Sequence, residues 1–171
     1  MASQGTRPSK DEYYISIARK VAARGTCLRR NYGAVIVAHD QIVSTGYNGA
    51  PRGVPNCVDP PRLCVRKQRN SPQGREYDDC KGVHAEMNAI IHAGRESIRR
   101  ATDREDPPTL YLVGIPSENE FLDKDPEPCL HCWQVIVNAG VERVVAETRE
   151  GLLKTTMVQE WVREASKETC V

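Results

Sequence analysis

Hydrophobic and polar residues follow a helical period near the start of the chain. After Tyr13, large apolar residues recur every four positions as far as Val21. Ser9 and Glu12 precede this run at the spacing of a capping box, in which each side chain accepts a backbone hydrogen bond from the other residue. The pattern predicts a helix over residues 11–24 whose apolar face packs against a sheet.

Two runs rich in β-branched residues follow, at residues 34–38 and 41–45. The polar pair His39 and Asp40 separates them, and a two-residue connection is typical of a tight hairpin turn. This part of the chain is therefore predicted to form an antiparallel hairpin.

The segment at residues 51–81 has neither a helical nor a strand period. It contains five prolines and three cysteines. A connection of this length without secondary structure is uncommon inside a compact domain unless other contacts hold it in place or it takes part in function. We therefore treat it as a cysteine-containing loop.

Regular periods return after this loop. They predict, in order, a helix at 83–93 that Gly94 ends, a buried strand at 109–113, an acidic loop at 117–127, a helix from Pro128 to Gly140, a strand at 141–146 and an amphipathic helix at 152–164. Helices that alternate with strands indicate an α/β fold of three layers, in which helices flank a mixed central sheet. We expect residues 1–171 to form a single domain.

Charge and composition narrow the kind of partner. Among 171 residues, 24 basic side chains nearly balance 23 acidic ones, so the whole chain shows no electrostatic preference for nucleic acid or an anionic membrane. No stretch resembles a secretory signal or approaches the roughly 20 apolar residues that span a bilayer. We expect a cytoplasmic protein. In that reducing compartment its seven cysteines are expected to bind metal or to react rather than to pair.

A candidate metal site follows from three of these residue types. Cys129 and Cys132 lie three positions apart at a predicted helix start, where one turn brings both sulfurs to the same side. Together with His84 they offer zinc three ligands, which leaves the fourth tetrahedral position for water, as in catalytic zinc sites. Glu86, two residues beyond His84, can act as a base toward that water without binding the metal.

Each half of this pattern is ambiguous alone. A Cys-x-x-Cys pair also occurs in redox sites and structural zinc knuckles, and His-x-Glu is common. The two halves together, with Pro128 directly before Cys129, match the His-x-Glu and Pro-Cys-x-x-Cys signature of zinc deaminases. The combination favours a deaminase over a structural zinc site.

Five segments resemble the deoxycytidylate (dCMP) deaminases of the cytidine deaminase superfamily: "YGAVIV", "STGYNGAPRG", "GVHAEMNAI", "PCLHC" and "NAGVERVV". They occur in family order and lie within residues 27–145. The resemblance implies a cytidine-deaminase-like fold and the hydrolytic deamination of dCMP to dUMP and ammonia. Zinc-bound hydroxide would attack C4 of cytosine while Glu86 protonates N3 and then the departing ammonia.

The resemblance also assigns roles by position. It implies the zinc ligands His84, Cys129 and Cys132, the general acid/base Glu86, and the sugar-binding residue Asn48. An alternative for Asn48 is that it only tolerates a left-handed turn beside Gly49.

Four further cysteines form a second candidate metal site, since some relatives carry a second zinc bound from these regions. They are Cys27, Cys57, Cys64 and Cys80. Four thiolates would fill all four coordination positions of a structural zinc, which would hold the long loop in place. The alternatives are that some of them are small buried apolar side chains or that His92 replaces one of them. Cys170 has no expected role.

We also expect a binding site for the substrate phosphate and contacts with effector nucleotides or neighbouring subunits. Residues 62–75 include five basic side chains and no acidic one, and an arginine among them is expected to bind the substrate phosphate; an ordinary solvated surface is the alternative. Many members of the resembled family are homo-oligomers regulated by dCTP and dTTP, which would give Tyr47 and Arg95 contacts with effectors or neighbouring subunits.

Two other functions remain open at this point. One is deamination of another cytosine nucleotide or nucleoside, or of adenosine in transfer RNA, although the near-neutral charge argues against RNA. The acidic loop at 117–127 is longer than in better-known relatives, so it could change substrate access or have no role. The other is a non-enzymatic interaction module whose thiols bind structural zinc only, which leaves Glu86 without a purpose.

Overall fold

The computed structural model describes residues 7–72, 79–99, 106–117, 122 and 124–167. Its helices and strands, in chain order, are α1 (Lys10–Ala22), β1 (Arg30–Ala38), β2 (Gln41–Tyr47), α2 (Val65–Gln68), α3 (Ala85–Ala93), α4 (Arg95–Arg99), β3 (Thr109–Pro116), α5 (Leu130–Ala139), β4 (Arg143–Glu147), β5 (Leu153–Met157) and α6 (Val158–Ala165). None of these helices is long and apolar enough to cross a membrane.

The strands form one mixed sheet in the order β2-β1-β3-β4-β5. β1 is antiparallel to both β2 and β3, β3 and β4 are parallel, and β5 is antiparallel to β4. The predicted mixed sheet is confirmed.

The interior strand β1, between β2 and β3, buries both of its faces. Ala34 and Ile36 belong to the core cluster shared with α3 and α5, while Val35 and Val37 belong to the cluster shared with α1. Because both faces are covered, the strand reads as a continuous apolar run rather than as an alternation. The three predicted layers are therefore present: α1, then the sheet, then α3 with α5.

The first predicted elements are confirmed with one correction. The Ser9 and Glu12 capping box opens α1, and His39 and Asp40 connect β1 to β2 with positive φ values of 50° and 56°. The predicted apolar face of α1 is confirmed in part: Ile17 and Val21 are partly buried against the core, whereas Tyr13 is 50% exposed. The buried residues of the helix are Tyr14, Ile15, Ala18 and Ala22. Small alanines face the sheet because the backbone of β1 passes very close to this helix.

The prediction for residues 152–164 is wrong in its first half. Leu153–Met157 forms β5 at the edge of the sheet, and the helix begins only at Val158. Thr155 and Thr156 are β-branched and pair with β4, which suits an edge strand better than a helix. Leu152, the apolar start of the predicted helix, is 63% exposed.

Smaller differences concern helix ends and short helices. Pro128 lies before α5 rather than in its first turn, because Cys129 is the N-cap residue. Gly94 and Gly140 end α3 and α5 with positive φ, as predicted. The short helices α2 and α4 were not predicted. Residues 118–121 and 123 of the acidic loop lie outside the described part of the chain.

Gly46 lets β2 approach α3, the helix that carries Glu86. A Cβ atom at this position would lie 2.3 Å from the carbonyl oxygen of Ala85 and 2.3 Å from the amide nitrogen of Ala89. Both are backbone atoms of α3, so an alanine side chain could be accommodated only by displacing the whole helix.

We expect Gly46→Ala to lower the free energy of unfolding by roughly 3 kcal/mol, the upper range for overpacking a core. Chemical denaturation measures this loss. Gly53→Ala is the matched control, because its Cβ would have no neighbour within 4 Å and its φ of +83° should cost only about 1 kcal/mol. Equal stability losses in the two variants would contradict the close packing at Gly46.

Candidate active site

The starts of two helices meet on one face of the sheet. His84 is the N-cap residue of α3 and Cys129 is the N-cap residue of α5. The Nδ1 atom of His84 lies 3.4 Å from Sγ of Cys129 and 3.3 Å from Sγ of Cys132. All three ligand atoms lie within 4.8 Å of one another. Among the described residues, no other group of three or more potential metal ligands lies this close together. The structure thus brings together the three predicted zinc ligands.

The position of His84 is fixed by a backbone pair just before it. Val83 donates a hydrogen bond to the carbonyl of Gly49 (2.7 Å), and Gly49 donates one back (3.1 Å). This pair links the entry of α3 to the segment that follows β2. Since α3 and α5 pack into the same core cluster, the histidine and the cysteines meet at neighbouring helix starts.

The electrostatics of the two thiols are coupled. The pKa of Cys129 is lowered to about 3, chiefly by its hydrogen bond with Cys132 and further by its hydrogen bond with His84. The pKa of Cys132 is raised by the same hydrogen bond between the sulfurs and by burial. Zinc binds cysteine as thiolate, so a metal bound here would displace the proton that the two sulfurs share in its absence. A thiolate, a second sulfur and an imidazole form a donor set that fits zinc and leaves one tetrahedral position open.

Glu86 lies in the first turn of α3 beside this triad. Its side chain is only 4% exposed, and burial raises the pKa of the carboxyl group above its usual value, opposed in part by His84. A raised pKa favours a carboxyl group that can both take up and release a proton, as a general acid and base must.

Two residues of the triad, His84 and Cys129, line a larger cavity. Its lining includes His84, Cys129 and Glu86, the polar residues Asn48 and Tyr32, the four other cysteines Cys27, Cys57, Cys64 and Cys80, the basic residues Arg29, Arg30, Arg66 and Lys81, and the acidic residue Glu127. The sequence suggested two separate metal sites. The structure places both sets of candidate ligands on the wall of one cavity.

Asn48 also lines this cavity, but its amide group already has backbone partners. Its Oδ1 accepts a hydrogen bond from the N–H of Tyr32, and its Nδ2 donates one to the carbonyl of Arg30, each at 2.8 Å. The alternative of a left-handed turn residue is wrong, because Asn48 is not among the residues with positive φ. Asn48 holds the start of β1 at the edge of the cavity.

Three other candidate residues do not line the cavity. His92 is exposed on α3 and its Nδ1 lies 2.8 Å from the carbonyl oxygen of Thr45. Tyr47 is 37% exposed at the end of β2, and Arg95 is exposed at the start of α4. Any role for them lies on the surface rather than in the cavity.

Sequence reasoning missed the basic and acidic lining of this cavity outside residues 62–75. Arg29, Arg30, Lys81 and Glu127 were not singled out. A signal was present, since Arg29 and Lys81 follow closely after cysteines that were already candidate ligands.

Comparison with known proteins agrees with this geometry. The sequence profile of the cytidine and deoxycytidylate deaminase zinc-binding region matches residues 8–148. The chain belongs to this deaminase family. Deoxycytidylate deaminase of Schizosaccharomyces pombe is 36% identical over 142 residues, which are 83% of this chain and 38% of that protein. Deoxycytidylate deaminase of Mycobacterium phage D29 is 36% identical over 144 residues, 82% of this chain and 95% of that protein.

The length of the relatives differs widely. This member of the deaminase family spans 38% of the S. pombe protein, and also 38% of the Saccharomyces cerevisiae deoxycytidylate deaminase, to which it is 34% identical over 81% of its own length. The phage protein is matched over nearly its whole length.

Solved structures confirm the deaminase fold. A crystal structure of dCMP deaminase from the cyanophage S-TIM5, in complex with dCMP and dUMP, matches with a TM-score of 0.50 and 23% identity over 82% of both chains. Cytidine deaminase from Burkholderia pseudomallei matches with a TM-score of 0.53 and 17% identity, over 87% of this chain and 93% of that one. At these identities the likeness shows the shared fold, as the sequence predicted.

Proposed function

We propose that the protein hydrolyses dCMP to dUMP and ammonia. The observation that carries this proposal is a buried glutamate beside a His-Cys-Cys triad, in a cavity whose remaining wall is rich in basic residues. The names of the relatives that are 34–36% identical support dCMP as the substrate.

The triad residues His84, Cys129 and Cys132 would hold the catalytic zinc. Zinc bound there would lower the pKa of a water molecule and so supply the nucleophile near neutral pH. Nδ1 of His84 faces the two sulfurs, which fixes which ring nitrogen serves as the ligand. The low pKa of Cys129 provides a thiolate without an added base.

Glu86 would transfer the protons. Its carboxylate would accept one proton from the attacking water and pass it to N3 of cytosine. It would then take the remaining proton of that water, now on the C4 hydroxyl, and deliver it to the amino group, which leaves as ammonia. The oxygen of the water becomes bonded to C4 and the C4–N bond breaks. Because the Glu86 side chain is buried, these transfers occur away from bulk solvent.

Substrate recognition would use the basic and polar residues that line the cavity. Among residues 62–72, the described part of the basic segment, Arg66 is the arginine that lines the cavity, and we assign the 5′-phosphate to it. Arg75 lies outside the described part of the chain. In contrast, Arg69 is exposed and pairs with Asp79 at 3.4 Å. Asn48 would contact the sugar, since its amide group keeps an N–H and a lone pair beyond its two backbone hydrogen bonds.

A second, structural zinc would be held by Cys27, Cys57, Cys64 and Cys80. Two of these sulfurs accept backbone hydrogen bonds, from the N–H of Arg29 to Cys27 (3.4 Å) and from the N–H of Gly82 to Cys80 (3.3 Å). Such bonds stabilise negative sulfur. Burial raises the pKa of Cys57, opposed in part by Lys81. No three of the four sulfurs lie within 4.8 Å of one another, so a metal would have to draw them together.

A substrate panel tests this function. Fully zinc-loaded protein is mixed separately with dCMP, dCTP, cytidine and transfer RNA, and ammonia release is measured. We expect release from dCMP at the highest kcat/KM. Release from RNA but not from dCMP would overturn the proposed substrate, and no release from any of them would favour a non-enzymatic zinc module.

Three further properties are proposed from the family resemblance alone: assembly into homo-oligomers, regulation by dCTP and dTTP, and a cytoplasmic location. Tyr47 and Arg95 are the surface residues that such contacts would use. Repeating the panel with added dCTP and dTTP, together with light scattering, tests the first two.

A further inference from the structure

Tyr32 supplies an aromatic ring to the wall of the cavity. Apart from the proposed zinc ligand His84, no other described residue that lines the cavity has an aromatic ring. The Tyr32 side chain is partly buried and packs against the core cluster that contains Ala85 and Cys132. A planar ring in this place is a surface on which a planar nucleobase can stack.

The position of Tyr32 in β1 directs its side chain toward the helices that carry the triad. Successive residues of a strand point to opposite faces of the sheet, so Tyr32 shares a face with Ala34. That face is covered by α3 and α5, whereas Val35 on the other face packs in the cluster shared with α1. Because α3 and α5 begin next to His84 and Cys129, Tyr32 lies on the face of the sheet where the proposed zinc ligands meet.

A glycine on the neighbouring strand makes room for the ring. Tyr32 of β1 and Gly114 of β3 are opposite one another in the sheet. A Cβ atom at Gly114 would lie 2.9 Å from Cε1 of Tyr32 and 3.0 Å from Cγ of Pro126. The ring therefore occupies space that a side chain at position 114 would fill, and it lies beside the segment that leads to Cys129.

The backbone of Tyr32 is fixed by Asn48. The N–H of Tyr32 donates to Oδ1 of Asn48 (2.8 Å), and the N–H of Asn48 donates to the carbonyl of Tyr32 (3.2 Å). The next residue, Gly49, is paired with Val83, which directly precedes His84. Contacts of Tyr32 thus lead to both helix starts that carry the proposed zinc ligands.

The proposed reaction requires the base to lie at this end of the cavity. Attack at C4 needs the cytosine ring beside the zinc ligands and Glu86. Asn48, the proposed sugar contact, is bonded to the backbone of Tyr32, so the two residues provide neighbouring contacts for the sugar and the base. The alternative is that Tyr32 only fills the core, in which case the kind of base would not affect its contribution.

We propose that the ring of Tyr32 stacks on the cytosine base and so makes the site select a planar pyrimidine. The inference rests on the proposed function, because a cytosine nucleotide is assumed. In this role the ring touches the base but transfers no proton, so ligand binding should depend on it more than the chemical step does.

Tyr32→Leu tests this role, because leucine keeps an apolar side chain opposite Gly114 but has no aromatic face. Dissociation constants are measured for the product dUMP and for 5,6-dihydro-dUMP, which has the same sugar, phosphate and polar atoms but a base that is no longer planar. Stacking of a base on an aromatic side chain should make wild-type protein prefer dUMP by about tenfold.

The substitution should remove this preference. We expect Tyr32→Leu to bind dUMP about tenfold more weakly than wild-type protein and to bind 5,6-dihydro-dUMP with nearly unchanged affinity. KM for dCMP should rise more than kcat falls. Equal weakening of the two ligands would show that Tyr32 only supports the fold, and a preference for dUMP that persisted in the variant would also overturn the inference.

Two control variants accompany this test. Tyr32→Phe keeps the ring and should keep the preference for dUMP. Tyr13→Leu makes the same change as Tyr32→Leu at an exposed position of α1, on the other side of the sheet, and should leave both dissociation constants at the wild-type level.

The wild-type protein covers the case in which Tyr32→Leu does not fold. Equal affinity of wild-type protein for dUMP and 5,6-dihydro-dUMP would refute stacking, whereas the expected preference supports it. If wild-type protein neither deaminates dCMP nor binds dUMP, the proposed function fails instead.

Discussion

Replacing Glu86 by glutamine should remove nearly all turnover of dCMP while the protein keeps its catalytic zinc. The amide has almost the same shape but cannot accept the proton of the attacking water or deliver one to N3. General acid–base groups contribute roughly 10²- to 10⁴-fold to rates, and we expect a fall in kcat toward the upper part of that range. Steady-state kinetics and metal analysis on the same preparation measure the two quantities.

The location of Glu86 explains why the effect should be confined to turnover. Its side chain is buried beside the triad, but the ligand atoms that lie together are those of His84, Cys129 and Cys132. The raised pKa of the carboxyl group also means that the neutral amide replaces a group that is easily protonated. The fold and the metal site should therefore tolerate the substitution.

Glu160→Gln is the matched control, because it makes the same change on an exposed position of α6. It should turn over dCMP at the wild-type rate. If Glu86→Gln also did so, Glu86 would not be the acid–base residue. If Glu86→Gln lost zinc together with activity, the glutamate would instead be required to hold the metal.

His84→Gln should abolish both catalytic zinc binding and turnover. Nδ1 of His84 is within 3.4 Å of both sulfurs, so no other described side chain can replace this nitrogen without moving the start of α3. Zinc needs three protein ligands here, and the two cysteines alone leave it exposed to competing chelators. Zinc content after dialysis against a weak chelator, and kcat for dCMP, give the two readings.

The chain offers a matched histidine on the same helix. His92 is exposed at the end of α3, and its Nδ1 is paired with the carbonyl of Thr45. His92→Gln should keep full zinc content and activity. Loss of a metal in His92→Gln would show that this histidine serves the second zinc after all, and full activity in His84→Gln would rule out the triad.

The grouping of His84, Cys129 and Cys132 could be predicted from the sequence because these residues lie at helix starts that the local pattern marks. His84 and Cys129 both precede helices whose apolar periods are clear, and both helices had to cover the sheet. Once α3 and α5 occupy one face, their starts can meet, so the triad follows from local patterns and the layer rule.

The parts that could not be predicted depend on tertiary contacts. β5 is a strand because β4 offers it an antiparallel partner, whereas its own residues, from Leu153 to Met157, are mostly exposed and have no clear period. The buried face of α1 was predicted only in part, because the close approach of Gly33 also places alanines against the sheet. A Cβ atom at Gly33 would lie only 2.3 Å from the carbonyl oxygen of Ala18. No sequence period reports such an approach.

The shared cavity is a second feature beyond the reach of sequence patterns. The path of residues 51–81 has no period, so nothing in it showed that Cys57 and Cys64 would line the same cavity as His84. For the same reason, Arg66 could not be chosen from the five basic residues at 62–75.

The most direct test of the central claim is deamination of dCMP in water enriched with ¹⁸O. Fully zinc-loaded protein is incubated with dCMP, ammonia is quantified, and the dUMP is analysed by mass spectrometry. Hydrolysis at C4 predicts dUMP that carries a single heavy oxygen in the base and an equal amount of ammonia. Unchanged dCMP, or dUMP formed without the label, would contradict the proposed reaction.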